Sequence, residues 1–473
     1  MERRDSLKLV GILFVWLFGH VLIPVAAVVY PITKAVRSVR TFIRFSYAGI
    51  HLLLIGLLIG LLTRLSRLSP ERKKAAEAEK KFAFVSHVLP PEWSGQAVAI
   101  KRLLEGVDAS DYCLISSQDY ASGLHGDFIG RLPGTYYWLP VEWQMRSRTN
   151  YSIVRWVNWS LAILARGFRI ACMLFASGCR TVIAASGDPI DLPAAYVAAC
   201  VTGARFVPYL FDDFTYQWPL DDGRKEARLA ESIIFQKSSR VIVPNEFLQR
   251  EIHRRHPRVR TAIVRNPTGA SAVTENPAYS RDRRQNTPRI ITYTGAIYHV
   301  NFKAFQNLIV AIDREGMPPI ELHLYAAQDK TWLEDRGVCS PRIVLHGHVP
   351  SEEVGRVQGL ADILFLAFAF DSAIPELVTT SAPGKLGDYL ATGVPILAHV
   401  PGDCFVAWYL NEYKCGVVVD EDSPEALAHG IQRLLTDAAL RSGLRKNALN
   451  MARADFDQSA TQRAFLSAIR ARK

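Results

Sequence analysis

The pattern of apolar and polar positions changes near residue 82, from long apolar stretches to short alternating strand and helix signals. Residues 9–32 and 45–63 are uncharged apolar stretches, each long enough to cross a bilayer. Beyond residue 82, short strand-like runs such as YCLISS (112–117) and TVIAAS (181–186) alternate with amphipathic helical segments. This alternation predicts an α/β protein in which helices cover parallel sheets.

A polar, proline-bearing segment divides the α/β pattern into two parts. Residues 271–288 show no apolar periodicity, and strand and helix signals restart after them with RIITYTG. We therefore predict two Rossmann-like, doubly wound domains, at 82–270 and 289–473, joined by this linker and facing a cleft.

Residues 1–68 are predicted to anchor the protein to a membrane. The basic residues that follow the apolar stretches argue against an exported signal peptide. Either both stretches span the bilayer, or one is re-entrant or interfacial, with Pro24 favouring a bend in the first. Residues 69–81 then predict a solvated linker helix with Ser69 as its N-cap.

The charge distribution points to lipid as a partner. The chain carries a formal net charge of +11, which favours an anionic partner. Much of the excess flanks the two apolar stretches, as expected for lipid headgroups, and no nucleic-acid-binding motif accompanies it. The 7 cysteines are scattered without metal-site spacing, which favours a reducing, cytosolic environment.

In the first domain, candidate chemistry follows the strands. Ligands of doubly wound sheets bind outside the carboxyl ends of strands, so the loops containing His87, Ser94-Gly95 and Asp212-Asp213 are candidates. Each has a structural alternative: a packed histidine, a turn glycine and capping carboxylates.

Residues 134–175 contain an apolar helix with aromatic and basic residues. Trp156, Trp159, Arg155, Arg166 and Arg169 fit an interface with lipid. A core helix with a snorkelling polar edge explains the same pattern.

In the second domain, SAPGKLGDYLATGVPIL predicts a loop followed by a short helix. The first-turn N–H groups favour a phosphate, Gly384 permits close approach of a ligand, and Lys385 adds a charge. Asp388, on the same face, is placed to accept hydrogen bonds from ribose hydroxyls. A solvated Lys and Asp on a surface helix is the alternative.

Five fragments, in this order, resemble glycosyltransferases of the GT-B fold close to glycosyltransferase family 4. They are SRVIVPNEFLQREI with IVRNPTG, TGAIYHVNFKAF, RIVLHGHVPSEEV, SAPGKLGDYLATGVPIL and YKCGVVVDEDSPEALAHGIQRLL. The resemblance covers about residues 82–465 and is strongest after 289. It implies a nucleotide-sugar donor held by the second domain, an acceptor held by the first, and glycosyl transfer between them.

The resemblance also assigns donor-side residues. Asp388 occupies the place of the second Glu of the family's Glu-x7-Glu motif, a ribose ligand, and Lys385 would face the diphosphate. The first Glu falls at Thr380, which leaves Glu376 as a substitute.

Two glycine loops complete the assignment. The Arg that often follows the glycine corresponding to Gly295 is Ala296 here, which leaves Lys303 as a phosphate ligand. The loop with Gly95 resembles the glycine loop near the donor phosphates.

The resulting hypothesis is a membrane-anchored glycosyltransferase on the cytosolic face of the inner membrane, with a lipid-linked or cell-envelope glycan as acceptor. The resemblance implies retention of configuration. Asp212, in a loop after a strand of the first domain, is the candidate polar contributor to catalysis. No cofactor or obligatory metal is expected, because Lys side chains and helix N-termini neutralise the leaving group. The run Asp420-Glu421-Asp422 is interpreted as a helix cap.

Two alternatives stay open. An inactive GT-B scaffold of a glycan-assembly complex is favoured by the missing Glu and Arg. A sugar-nucleotide epimerase or hydrolase of the same fold would need catalytic carboxylates and leave the apolar stretches unexplained.

Overall fold

The computed structural model describes residues 81–121, 130–140, 142, 152–218, 223–269 and 287–471. These residues belong to one compact unit. The predicted membrane stretches, all of the predicted linker helix but Lys81, and most of the 271–288 linker lie outside the described residues.

The first half of the described chain forms a seven-stranded sheet in which all pairings are parallel. The strand order is β3-β2-β1-β4-β5-β6-β7. The strands are β1 (Phe82–Val85), β2 (Tyr112–Ser116), β3 (Thr135–Trp138), β4 (Thr181–Ala185), β5 (Arg205–Tyr209), β6 (Val241–Val243) and β7 (Thr261–Ile263). β3, with the sequence TYYW, is a strand that the sequence pattern does not predict.

In the part of the chain that the structure describes, five α-helices connect or flank these strands. They are α1 (Gly95–Leu104), α2 (Ser152–Ser177), α3 (Asp191–Thr202), α4 (Arg224–Lys237) and α5 (Glu246–Arg255). Ser94 caps α1 by accepting a hydrogen bond from the Ala97 amide. Asn245 caps α5 by accepting a hydrogen bond from the Leu248 amide.

Helix α2 is a core helix on one face and exposed on the other. Ile170, Ala171 and Leu174 are buried in the core of the first sheet, whereas Phe168 and Phe175 are exposed. Within the described part of the chain, Arg155–Ser177 is the helix long and apolar enough to cross a membrane, and 39% of its most apolar window is buried. Contact of its outer face with lipid stays a prediction.

Arg166 of α2 does not face lipid. Its guanidinium is buried and donates hydrogen bonds to Glu142 (2.7 and 2.9 Å), Asp188 (2.8 Å) and Asp191 (2.7 Å). The interpretation of Arg166 as a lipid-facing residue is therefore wrong, because three carboxylates compensate its charge inside the domain.

The second half forms a six-stranded parallel sheet of order β10-β9-β8-β11-β12-β13. The strands are β8 (Arg289–Thr294), β9 (Ile320–Tyr325), β10 (Ile343–Leu345), β11 (Ile363–Ala367), β12 (Ile396–His399) and β13 (Val417–Val419). The two parallel sheets covered by helices confirm the predicted α/β class.

Within the described residues, nine α-helices accompany this half. They are α6 (Phe302–Ile312), α7 (Lys330–Glu334), α8 (Ser351–Gly359), α9 (Pro375–Thr380), α10 (Lys385–Thr392), α11 (Phe405–Glu412), α12 (Pro424–Thr436), α13 (Ala438–Asp455) and α14 (Gln458–Arg470). The cap of α12 is Ser423, which accepts from the Ala426 amide. The helix is therefore capped by Ser423 and not, as expected, by Asp420-Glu421-Asp422. Asp422 instead accepts a hydrogen bond from Asn307 Nδ2 (2.6 Å).

The last helix packs on the first sheet, although the sequence pattern placed it with the second domain. Phe465, Ala468 and Ile469 of α14 are buried in one apolar cluster with Phe82 and Tyr209 of the first sheet. The C-terminal part of the chain therefore returns to the first half of the molecule. There, α14 contributes apolar surface to the core of the first sheet.

Candidate active site

The predicted loop and helix around Lys385 are present. Gly384 is the N-cap of α10, and Gly393 ends the helix in the left-handed region at φ +67°. Leu386, Tyr389 and Leu390 are buried beneath the helix. This packing fixes the first turn, so the positions of Lys385 and Asp388 are set by an apolar face.

Lys385 lies beside Gly295. Its ammonium is 3.6 Å from the centroid of the Tyr293 ring. A Cβ at Gly295 would lie 3.2 Å from Lys385 Nζ, and Gly295 has a φ of +110°. Glycine is therefore favoured at this position both by backbone conformation and by the close approach of the lysine.

The environment of Lys385 disfavours its charged form. Burial lowers the pKa of Lys385 to about 7. Among the described residues, no carboxylate forms an ion pair with this ammonium. An anionic ligand would therefore stabilise the charged form of this side chain.

Asp388 is engaged by the first domain. Arg102 Nη1 of α1 lies 2.9 and 3.2 Å from the two carboxylate oxygens, and it also donates to the Pro267 carbonyl (2.8 Å). Burial raises the pKa of Asp388, while Arg102 and the Gly269 amide lower it. The structure brings Asp388 to the interface between the two sheets, where it holds Arg102.

Lys303 and Gly95 are less closely tied to this group. Lys303 is the second residue of α6 and is half-buried. Gly95 is the exposed first residue of α1, with open space where a Cβ would stand. Two turns after Gly95, Arg102 of the same helix contacts Asp388. The roles of Lys303 and Gly95 as donor ligands stay predictions.

Asp212 lies at the same interface. It follows β5, and its Oδ1 accepts a hydrogen bond from the hydroxyl of Ser381 (3.2 Å), in the loop that leads into α10. Burial raises the pKa of the Asp212 carboxyl, and Ser381 opposes that shift. Burial, and then the charge of Asp212, raise the pKa of Tyr298 to about 12, so the loop after β8 also reaches this carboxylate.

Asp213 has a structural role instead. Its carboxylate accepts two hydrogen bonds from Arg255 at 2.9 Å and bonds to the amides of Thr215 and Tyr216. Asp213 therefore matches the capping alternative, and only Asp212 of the pair meets the second domain.

His87 also has a packing explanation. A Cβ at Gly187 would lie 2.1 Å from His87 Cε1, so the imidazole lies against that backbone. Burial lowers the pKa of His87.

The position of the missing first Glu is occupied by contacts within the protein. The Thr380 hydroxyl donates to the Glu376 carbonyl (2.9 Å), and the Thr380 carbonyl accepts from Asn245 Nδ2 (2.8 Å). Glu376 lies 3.8 Å from Arg224 of α4. Both residues thus connect the two halves of the chain.

Several of these partners carried no local signal in the sequence. Tyr293, Arg102, Arg224 and Ser381 meet the predicted residues only through long-range packing. The sequence shows an aromatic residue, Tyr293, two positions before the Gly295 turn. It does not show that this ring contacts Lys385. Among the described residues, no group of three metal-ligating side chains comes together.

Comparison with known proteins bears on the second half of the chain and on the fold. Residues 288–437 match the family described as Glycosyl transferases group 1. No curated protein matches the chain.

Solved structures share the fold at low sequence identity. HepE from Anabaena, in complex with UDP and glucose, is 14% identical with a TM-score of 0.59, covering 82% of this chain and 98% of that chain. A glycosyltransferase from Rickettsia africae has 14% identity and a TM-score of 0.56 over 82% and 97%. WaaG, a glycosyltransferase involved in lipopolysaccharide biosynthesis, has 14% identity and a TM-score of 0.53 over 82% and 99%. The family match and the shared architecture identify the protein as a glycosyltransferase of the GT-B fold.

Proposed function

We propose that the protein is a membrane-anchored, retaining glycosyltransferase close to glycosyltransferase family 4. It transfers a glycosyl group from a nucleoside-diphosphate sugar to a lipid-linked or cell-envelope glycan on the cytosolic face of the inner membrane. The observation that carries the proposal is Lys385, a desolvated ammonium beside Gly295 at the start of α10.

The chemistry of the leaving group explains why this arrangement suits a nucleotide sugar. As the bond between the anomeric carbon and the phosphate oxygen breaks, negative charge develops on the diphosphate. Lys385 and the first amides of α10 supply positive charge there, and Gly295 lets the phosphates approach the backbone. Lys303 is proposed as a second cation and Gly95 as part of the opposing loop.

Asp388 would then bind the ribose of the donor. Its carboxylate accepts hydrogen bonds and lies one turn from Lys385, but Arg102 now occupies it. Donor binding would therefore share or displace the Arg102 contact. This exchange makes the role of Asp388 separable from that of Arg102 by mutation.

Asp212 is proposed as a polar group of the acceptor step. The acceptor oxygen would attack the anomeric carbon, the bond to the diphosphate would break, and the acceptor proton would pass to a donor phosphate oxygen. Asp212, with its raised pKa and its contact with Ser381, would orient the reacting hydroxyl by hydrogen bonding.

The chain supplies its own positive charge to the leaving group, so we propose no metal requirement. Transfer should persist in EDTA, and a complete loss of transfer that is restored by a divalent cation would overturn this part of the proposal.

The acceptor class rests on the apolar N-terminal stretches. Anchoring at 1–68 would hold the enzyme near an acceptor that shares the membrane. The similarity to WaaG, whose stated role is in lipopolysaccharide biosynthesis, is consistent with a cell-envelope glycan.

The test begins with the full chain in detergent and a thermal-shift panel of UDP, GDP, CDP and ADP with their sugars. One nucleotide should raise the melting temperature of the wild type and not of Lys385→Met. The matching nucleotide sugar should release its nucleoside diphosphate only when lipid extract is added.

An inactive scaffold is the second candidate, favoured by Thr380 and Ala296 in place of the family's Glu and Arg. It predicts no stabilisation by any nucleotide in a folded protein. An epimerase or hydrolase would instead convert the nucleotide sugar without a lipid acceptor.

A further inference from the structure

Two large aromatic rings are exposed at one edge of the first sheet. Trp93 is 53% exposed in the loop between β1 and α1, and Trp138, the last residue of β3, is 45% exposed. The strands β3, β2 and β1 are parallel neighbours, so their carboxyl ends lie at the same edge. Both rings therefore belong to the edge at which a doubly wound sheet binds its ligands.

This edge meets the second half of the molecule, which is proposed to bind the donor. The Trp93 ring lies 4.9 Å from the ring of His348, which follows β10 in the second sheet. The contact places Trp93 at the boundary between the two halves, where the proposed glycosyl transfer would take place.

Polar groups connect the two tryptophans. The Tyr120 hydroxyl lies 2.6 Å from Gln118 Oε1 and 3.5 Å from Glu92 Oε2, and Glu92 immediately precedes Trp93. On the other side, Trp138 Nε1 donates to the carbonyl of Ser117, the residue before Gln118 (3.3 Å). We call the set Glu92, Trp93, Gln118, Tyr120 and Trp138 the aromatic edge.

The composition of the aromatic edge fits a saccharide better than a lipid chain. A pyranose ring presents C–H groups on its faces and hydroxyls around its rim, so it needs flat apolar surfaces with hydrogen-bonding groups between them. The aromatic edge offers two partly exposed indoles with Gln118 and Glu92, both exposed, between them. An acyl chain would leave these amide and carboxylate groups without partners, at a desolvation cost.

We propose that the aromatic edge is the binding site for the saccharide part of the acceptor. Trp93 and Trp138 stack on sugar faces, while Gln118 and Glu92 bind hydroxyls. This inference rests on the proposed glycosyl transfer, because that reaction requires a sugar-bearing acceptor beside the first sheet.

The experiment uses the full chain labelled with 5-fluorotryptophan, in a detergent without a sugar headgroup. The probes are the methyl glycosides of glucose, galactose, mannose and N-acetylglucosamine. Trp93→Phe and Trp138→Phe assign the two fluorine resonances among the 9 tryptophans. At least one glycoside should shift both resonances and leave those of Trp332 and Trp408 in place.

Binding constants from the same titrations give the second readout. Trp138→Ala should weaken binding of the responding glycoside at least tenfold, and Trp138→Phe should restore most of it. The matched control is Phe175→Ala, which removes a ring that is 63% exposed at the opposite, amino-terminal edge of the sheet and should change nothing.

Nucleotide binding by the same preparations distinguishes failure of the saccharide site from failure of the proposed function. If a nucleotide stabilises the protein but no glycoside shifts the Trp93 or Trp138 resonance, the aromatic edge is not a saccharide site while the proposed function stands. If Phe175→Ala weakens glycoside binding as much as Trp138→Ala, the assignment of this edge is also wrong. Failure of every nucleotide to bind would instead remove the proposed function on which the inference rests.

Discussion

The ammonium group of Lys385 lies against the face of the Tyr293 ring, in a site from which burial excludes much of the water. The Tyr293 ring attracts the cation, but burial outweighs that attraction and lowers the lysine pKa to about 7. Near neutral pH, therefore, a large fraction of the unliganded protein carries a neutral amine here. A diphosphate would favour the charged form, so ligand binding and protonation are coupled.

This coupling predicts that donor affinity falls as pH rises above 7. Below that pH Lys385 is already charged in the free protein, whereas above it the lysine must take up a proton on binding. The dissociation constant of the nucleotide sugar should rise by up to about tenfold per pH unit between pH 7 and 9. A nucleotide sugar is the right ligand for calorimetric titration, because its diphosphate diester does not titrate in this range.

The control for the pH effect is Lys385→Met, which keeps the length of the side chain without the charge. It should bind the donor weakly and with no pH slope. If the variant keeps the wild-type slope, another group is responsible for the coupling, and the diphosphate role of Lys385 is wrong.

At the scale of elements, α1 and α10 meet through one ion pair. Arg102 of α1 contacts Asp388 of α10, and each side chain is 16% exposed. If Asp388 binds ribose, Asp388→Ala should weaken nucleotide binding by about tenfold or more, since a lost hydrogen bond to a charged group is worth roughly 1.5–3 kcal/mol. Arg102→Ala should leave nucleotide binding equal or stronger, because it frees the carboxylate.

Calorimetry on the two variants decides between a ligand role and a structural role. Equal losses of nucleotide affinity in Arg102→Ala and Asp388→Ala would show that the pair only holds the two helices together. The double variant should then bind no worse than either single one.

The C-terminal helix α14 is predicted to stabilise the first sheet. Phe465 is fully buried beside Phe82, Phe84 and Tyr209, with ring centroids 6.1, 6.3 and 6.0 Å away. Phe465→Ala should lower the free energy of unfolding by about 3–5 kcal/mol, through lost burial and the cavity left behind. Chemical denaturation measures this change, with the exposed Arg463→Ala as its control. Similar stability of the two variants would mean that α14 does not contribute to that core.

Local pattern was enough to predict most elements and the framework of the site, but not the long-range contacts. The YCLISS and TVIAAS runs became buried strands because apolar residues between turns fit a parallel sheet. β3 was missed because four aromatic-rich residues beside Leu-Pro show too little periodicity. Sequence also placed Lys385 and Asp388 in one helical turn, whereas Arg102 and Tyr293 come from other elements, and no local pattern specifies such partners.

On the scale of the whole molecule, the candidate donor residues and the aromatic edge lie within the described chain. Lys385, Gly295 and Asp388 belong to the second half, and Asp212 and α1 approach them from the first. Every residue proposed to bind the donor lies within residues 82–471, so we propose that the N-terminal stretches act on the concentration of acceptor around the enzyme.

Deletion of residues 1–68 should separate these two contributions. The shortened chain should bind the donor nucleotide as the full chain does, because every proposed donor ligand is retained. Its transfer to a lipid-linked acceptor in vesicles should fall by roughly 10²-fold, since the effective concentration provided by anchoring is lost. A soluble acceptor with the same glycan should restore equal rates, because both proteins then meet it in solution. If the shortened chain is as fast as the full chain in vesicles, anchoring does not deliver the acceptor, and the lipid-linked class loses its main support.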